Sequence, residues 1–233
     1  MGEFKKKIIP SNYFWLSIEG TDAVGKTTLL ERIETFLRNQ RKINFVIIKE
    51  FSDSPFGVLI KKIIKEKKFF SLGNKFHFSL SETLLLLSDF IYQFEQILSK
   101  YQGKKKLFII SDRGPHSFLT YQLLRIKFQY RIPSLIIENW IKNILQPITF
   151  PHFAILLTSS ISDIKKRIIE RDGFVTKKEL YFIQKVQNEY LKIFKENSYL
   201  SCLVLENRNG NFEKVVKKNI KKIKAFIGVK NNM

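Results

Sequence analysis

The segment Gly20-Thr21-Asp22-Ala23-Val24-Gly25-Lys26-Thr27 constrains this chain more than any other. It fits G-x-x-x-x-G-K-[ST], follows the apolar run Phe14–Ile18 and opens a stretch with Leu29, Leu30, Ile33, Phe36 and Leu37 at helical spacing. Strand, glycine-containing turn and helix are the setting in which such a loop binds phosphate. The glycines let the backbone curl so that successive N–H groups converge on phosphate oxygens, and the helix N-terminus adds partial positive charge. Lys26 can then reach the β- and γ-phosphates, and Thr27 can offer its hydroxyl to Mg²⁺. A loop of this kind predicts that the chain binds a nucleoside triphosphate.

The remaining sequence alternates strand and helix patterns. Strands are predicted at Ile43–Lys49, Leu107–Ile110, Phe153–Leu157 and Leu200–Leu205. Helices are predicted at Thr27–Asn39, Phe56–Lys67, Ser81–Ser99, Phe118–Phe128, Ser134–Leu145, Ile161–Glu170 and Lys178–Lys195, with a basic helix at Phe212–Phe226. Such alternation implies right-handed crossovers and a mainly parallel sheet with helices on both faces. No linker, repeat or boundary interrupts it, so one α/β domain is expected over residues 1–233, with residues 1–12 as a flexible extension.

Of 233 residues, 41 are Lys or Arg and 21 Asp or Glu, a formal charge of +20 that favours anionic partners. The excess is mostly Lys in a chain rich in Ile, Phe and Asn, and A/T-rich codons account for it equally well. One cysteine, Cys202, excludes an internal disulfide and a cysteine metal cluster, and its apolar flanks predict a buried, inert thiol. No apolar run is long enough to span a bilayer, and Lys5–Lys7 lead into no cleavage site, so a cytosolic protein is expected. His77, His116 and His152 are scattered without metal-ligand spacing and receive no role.

Asp112-Arg113 follows the third strand, at the edge where open α/β sheets bind ligands. A carboxylate there can orient the water shell of a metal, and the planar Arg113 fork can clamp a phosphate. Glu50, ending the second strand, belongs to the same edge. Arg167 and Arg171, four apart on one helix face, precede Gly173, Lys177 and Lys178, a cation set suited to a lid at about residues 167–180. The C-terminal lysines 217, 218, 221, 222 and 224 read as a solvated helix face.

These segments together resemble the thymidylate kinase family. Ile18 to Thr28 is similar to its phosphate loop; Lys49-Glu50 and Ser54-Pro55-Phe56-Gly57 resemble its R-E-P-G-G-T-P-x-G segment. Asp112-Arg113, Ser117 and Thr120-Tyr121-Gln122 resemble its D-R-Y-x-x-S-x-x-A-Y-Q block, and Arg167–Glu179 its lid. The resemblance implies a P-loop nucleotide-kinase fold, an α/β five-stranded parallel sheet with helices on both faces, in a homodimer using ATP and Mg²⁺. By position, residues 20–28 and Arg167 would hold the nucleotide, with Thr27 and Asp112 at the metal and Lys26, Asp112 and Arg113 in the catalytic set. Asp22 would approach the acceptor sugar; Arg113 would grip its phosphate, with Glu50, Ser117 and Tyr121 nearby and Gln122 beside the base.

The resemblance also marks departures. Ala23 stands where some members carry a catalytic loop cation, which leaves Lys177 or Arg171 of the lid to supply it. Leu86 and Phe90 stand where the family has a stacking aromatic and a base-reading arginine; Leu cannot stack as an aromatic does, and Phe cannot hydrogen-bond. Phe51-Ser52-Asp53 replaces P-G-G. The expected reaction is ATP- and Mg²⁺-dependent phosphorylation of a nucleoside monophosphate, dTMP foremost. Its rivals are a kinase for another nucleotide or nucleoside, and a catalytically weak paralogue acting as a regulatory or nucleic-acid-binding protein.

Overall fold

The computed structural model describes residues 13–40, 43–67, 72, 78–101, 107–146, 148, 150–196, 201–208, 212–213, 216–217 and 220. The expected N-terminal extension, His77 and lysines 218, 221, 222 and 224 lie outside the described residues. Five strands, β1 (Tyr13–Gly20), β2 (Asn44–Ile48), β3 (Leu107–Asp112), β4 (Phe153–Thr158) and β5 (Ser201–Glu206), form one sheet of order β2-β3-β1-β4-β5. The helices are α1 (Lys26–Arg38), α2 (Pro55–Lys67), α3 (Ser79–Lys100), α4 (Pro115–Ser117), α5 (Leu123–Tyr130), α6 (Ser134–Leu145), α7 (Ile161–Asp172) and α8 (Lys177–Glu196). The α/β architecture expected from the alternation is therefore present. The predicted helix 118–128 is more broken than its pattern suggests: α4, a π-helical turn π1 (Phe118–Gln122) and α5 occupy that stretch. π turns of this kind frequently accompany functional sites, and this one carries Tyr121 and Gln122. Of the predicted C-terminal helix, residues 212, 213, 216, 217 and 220 are helical.

The chain packs as two compact units, residues 1–17 with 44–153 and residues 18–43 with 154–233. In the first, β2 runs parallel to β3 in the register Asn44↔Leu107 through Ile48↔Ser111, so the residues after both strands emerge at one edge. Trp15 is fully buried; its indole N–H donates to Ser111 Oγ at 2.9 Å, and its ring packs on Phe94 at 4.4 Å. Its backbone N–H donates to His152 Nδ1 at 3.1 Å, and its carbonyl accepts from the His152 N–H at 2.9 Å.

In the second unit, β4 is buried along its whole length, as the run Phe153–Leu157 requires. Leu29, Ile33 and Leu37 recur every four residues and bury one face of α1. Ser160 caps α7, its hydroxyl accepting from the Asp163 N–H at 3.1 Å, and Gly173 at φ 85° ends it. Thr176 and Glu179 start α8 as a reciprocal capping box, with bonds of 2.5 and 3.2 Å. The expected lid thus comprises the second half of α7, a turn at residues 173–176 and the start of α8. Cys202 is half-buried rather than fully buried, because β5 is an edge strand along which only Leu205 is buried. Burial pushes its thiol pKa up.

Candidate active site

The second unit holds the phosphate loop. Gly20, Ala23 and Gly25 all have positive φ, at 138°, 60° and 99°. A Cβ on Gly20 would lie 2.4 Å from the Leu157 carbonyl oxygen, so both conformation and space require glycine there. Ala23 is in the left-handed region without that licence, a conformation that persists only when neighbours enforce it. Lys26, buried at 8% exposure, donates from Nζ to the Thr21 carbonyl at 2.9 Å and so spans the loop's concavity. Thr27 and Thr28 are exposed on the first turn of α1, and Asp22 is half-buried.

The loop is held from outside by residues that sequence reasoning missed. Asn207, just beyond β5 and 5% exposed, donates from Nδ2 to the Val24 carbonyl at 2.8 Å. Its backbone N–H donates to Thr158 O at 2.8 Å, and its carbonyl accepts from Ser159 Oγ at 2.6 Å. Arg167 donates from Nη1 to the Ala23 carbonyl at 3.1 Å and to Ser159 Oγ at 3.2 Å, and from Nη2 to Asn207 O at 3.3 Å. Gln187 of α8 closes a pair with the Ser159 backbone, at 3.1 and 3.0 Å. A signal was available: Ser159 and Asn207 are polar residues placed directly after apolar strands, at sheet ends that bind ligands in this architecture.

Of the lid cations, Arg171 is exposed and donates from two nitrogens to both Asp172 oxygens, each at 2.8 Å. That hydrogen bonding, with the charges of Asp172 and Asp22 adding to it against partial burial, raises its pKa and keeps it cationic. Lys177 is exposed on the first turn of α8.

The first unit holds the other predicted residues. Arg113, at φ 70°, donates from Nε to Glu50 Oε1 at 2.6 Å, and its guanidinium carbon lies 4.9 Å from the centre of the Tyr121 ring. Three residues singled out from separate segments are thus joined: Glu50 orients the guanidinium, and Tyr121 supports its face. Asp112 is half-buried at the end of β3, and Ser117 is buried at the end of α4. Gln122 is buried and accepts from Thr83 Oγ1 of α3 at 3.1 Å.

Leu86 is half-buried on α3. Phe90, one turn on, is only 6% exposed; its ring packs on Trp15, Phe94 and Phe118 at 6.1, 5.2 and 5.3 Å between centroids. It belongs to an aromatic core. Two buried acids of α3 escaped the sequence reading. Asp89 accepts from the Ser52 N–H at 2.9 Å and the Ser54 hydroxyl at 2.8 Å, and also from the Ser52 hydroxyl, fixing the loop between Glu50 and α2. Glu82 pairs with Arg125 and accepts from the Leu72 N–H at 2.8 Å. Burial lowers the Arg125 pKa, partly offset by the Glu82 charge. Their signal was charge inside an otherwise apolar helix face.

Comparison with known proteins gives the family of the chain. A sequence model of the thymidylate kinase family, described as thymidylate kinase, matches residues 18–220. The thymidylate kinase of Prochlorococcus marinus is 30% identical over 199 residues, covering 83% of this chain and 90% of that protein. That of Buchnera aphidicola is 26% identical over 202 residues, covering 86% and 90%. Among solved structures, thymidylate kinase from Candida albicans shares the fold with a TM-score of 0.68 at 23% identity, covering 93% of each chain. The Ehrlichia chaffeensis enzyme does so with a TM-score of 0.64 at 19% identity, covering 91% of this chain and 99% of that one. A phosphate loop and a matched stretch running from the end of β1 past β5 place the chain in the thymidylate kinase family, whose members are nucleoside-monophosphate kinases.

Proposed function

We propose that this protein transfers the γ-phosphoryl group of ATP, with Mg²⁺, to a nucleoside monophosphate, and that dTMP is its acceptor. The observation that carries the proposal is the loop itself: three left-handed residues curl the backbone, and Lys26 is drawn across the concavity to Thr21 O. Lys26 exchanges that carbonyl for the β- and γ-phosphates when the nucleotide enters. In the transfer, an acceptor phosphate oxygen bonds to the γ-phosphorus while the bond from that phosphorus to the β–γ bridging oxygen breaks, releasing ADP. Arg113, pre-aligned by Glu50 and Tyr121, holds the acceptor phosphate. Arg171 or Lys177 neutralises charge on the migrating group.

The residues present suit a metal that arrives with the nucleotide. Among the described residues, no group of three or more His, Cys, Asp or Glu side chains could hold a metal. Magnesium carried on phosphates needs only one or two protein ligands, and exposed Thr27 and the Asp112 carboxylate are of the right oxygen chemistry. When bound, the metal would neutralise phosphate charge in the transfer.

The core position of Phe90 favours a second reading of the acceptor. A ring packed among Trp15, Phe94 and Phe118 offers no hydrogen bond to a base, so another nucleoside monophosphate fits the same chemistry. The homodimer implied by the resemblance is also part of the proposal, since Phe56, Val58 and Leu59 of α2 and Leu84 of α3 expose apolar surface that a second copy would cover. Among the described residues no helix is long and apolar enough to cross a membrane. ADP release with Mg-ATP and a panel of nucleoside monophosphates and nucleosides tests the proposal. Preference for dTMP is the expected result, another preferred monophosphate would favour the second reading, and silence across the panel would overturn both.

A further inference from the structure

The carbonyls of Ala23 and Val24 are both anchored on the protein side of the phosphate loop, the first by Arg167 and the second by Asn207. The described backbone has no cis peptide bond. In a trans peptide the C=O of one residue and the N–H of the next point in opposite directions. Fixing the Ala23 carbonyl therefore turns the Val24 N–H the other way, and fixing the Val24 carbonyl does the same for the Gly25 N–H. We infer that Asn207 and Arg167 are positioning residues that aim the Val24 and Gly25 N–H groups at the phosphates of the donor nucleotide. The inference rests on the proposed use of this loop for a triphosphate. It gives Arg167 an action through the loop.

Two features make the anchor rigid. Asn207 is itself fixed by its backbone bonds to Thr158 and Ser159. Ser159 is locked by the paired bonds to Gln187, so β4, β5, α7 and α8 all meet behind one turn of backbone. The anchor also accounts for Ala23, whose left-handed φ of 60° carries an intrinsic cost that the Arg167 bond helps to offset. Finally, Asn207 Nδ2 lies 2.8 Å from the place a Cβ on Gly25 would occupy, so the anchor also helps to keep that position glycine.

Asn207→Asp keeps the size of the side chain but removes the donor and sets an anionic oxygen against the Val24 carbonyl. Mg-ATP titration by calorimetry, steady-state kinetics and thermal unfolding of the nucleotide-free protein form the test. We expect ATP affinity to fall about tenfold and the KM for ATP to rise with it. The KM for the monophosphate acceptor should stay at the wild-type value, whereas the unfolding temperature should fall because the new carboxylate is buried beside a carbonyl. Unchanged ATP affinity would overturn the inference; so would an equal loss of affinity for donor and acceptor, which marks a merely structural residue. If Asn207→Asp fails to fold, Arg167→Lys carries the same test with the same two outcomes. Wild-type protein that binds ATP but transfers nothing would overturn the proposed reaction alone, and wild-type protein that binds no ATP would overturn both.

Discussion

In the proposed reaction, the donor loop and the acceptor region meet the demands of phosphate chemistry in different ways. In the second unit, left-handed residues and anchored carbonyls shape the loop, and its proposed binding runs through backbone N–H groups. In the first, the proposed phosphate grip is one side chain, Arg113, oriented by Glu50 and supported on the Tyr121 face. A backbone site tolerates little change of sequence, because its conformation demands particular residue types. A side-chain site can be rebuilt by substitution on a retained scaffold. The chain fits that contrast: the loop keeps its full motif, whereas, by the resemblance, Leu86 and Phe90 stand where a stacking aromatic and an arginine are expected, and Ser52-Asp53 where two glycines are.

The comparison can be broken most directly at Lys26. Lys26→Ala should reduce kcat by about a thousandfold, because the loop then lacks its only side-chain cation while its backbone donors remain. A loss below tenfold in single-turnover transfer would show that the backbone alone suffices. Arg113→Ala should lower kcat/KM for the monophosphate by about a hundredfold through the lost grip and the stranded Glu50 charge, and leave ATP affinity unchanged. Equal loss for donor and acceptor would erase the contrast between the two regions.

A smaller effect is expected where scaffold and site meet. Asp89→Ala strands the buried Ser52 and Ser54 donors and should cost about 3 kcal/mol in urea unfolding, with the acceptor KM rising as the loop beyond Glu50 loosens. Asp89→Asn, which keeps an acceptor, should lose less. The smallest effect concerns Cys202. Burial raises its thiol pKa, so at a given alkaline pH less thiolate forms than on a free thiol, and iodoacetamide should react severalfold more slowly until the protein is unfolded. Alkylation at the rate of a free thiol would show that β5 opens readily.

Much of this was legible in the sequence because the relevant residues are contiguous. The phosphate loop and β3 running into Asp112-Arg113 are each encoded within a dozen residues, where backbone preference and side-chain spacing act directly. The pairing of Glu50 with Arg113 is legible in part, since both follow strands that end at one sheet edge, while the ion pair itself depends on the fold. The role of Phe90 is not, because aromatic packing with Trp15 depends on which helix face turns inward.

By itself, then, the sequence determined the order of strands and helices, the phosphate loop and the chemistry that loop can perform, all consequences of local chain geometry. Only the tertiary structure decided what holds the loop in shape. Asn207 is 183 positions from Val24 and Arg167 is 144 from Ala23. No local propensity links residues so far apart; their hydrogen bonds exist because the folded chain brings the ends of β4 and β5 and the middle of α7 behind one turn of backbone.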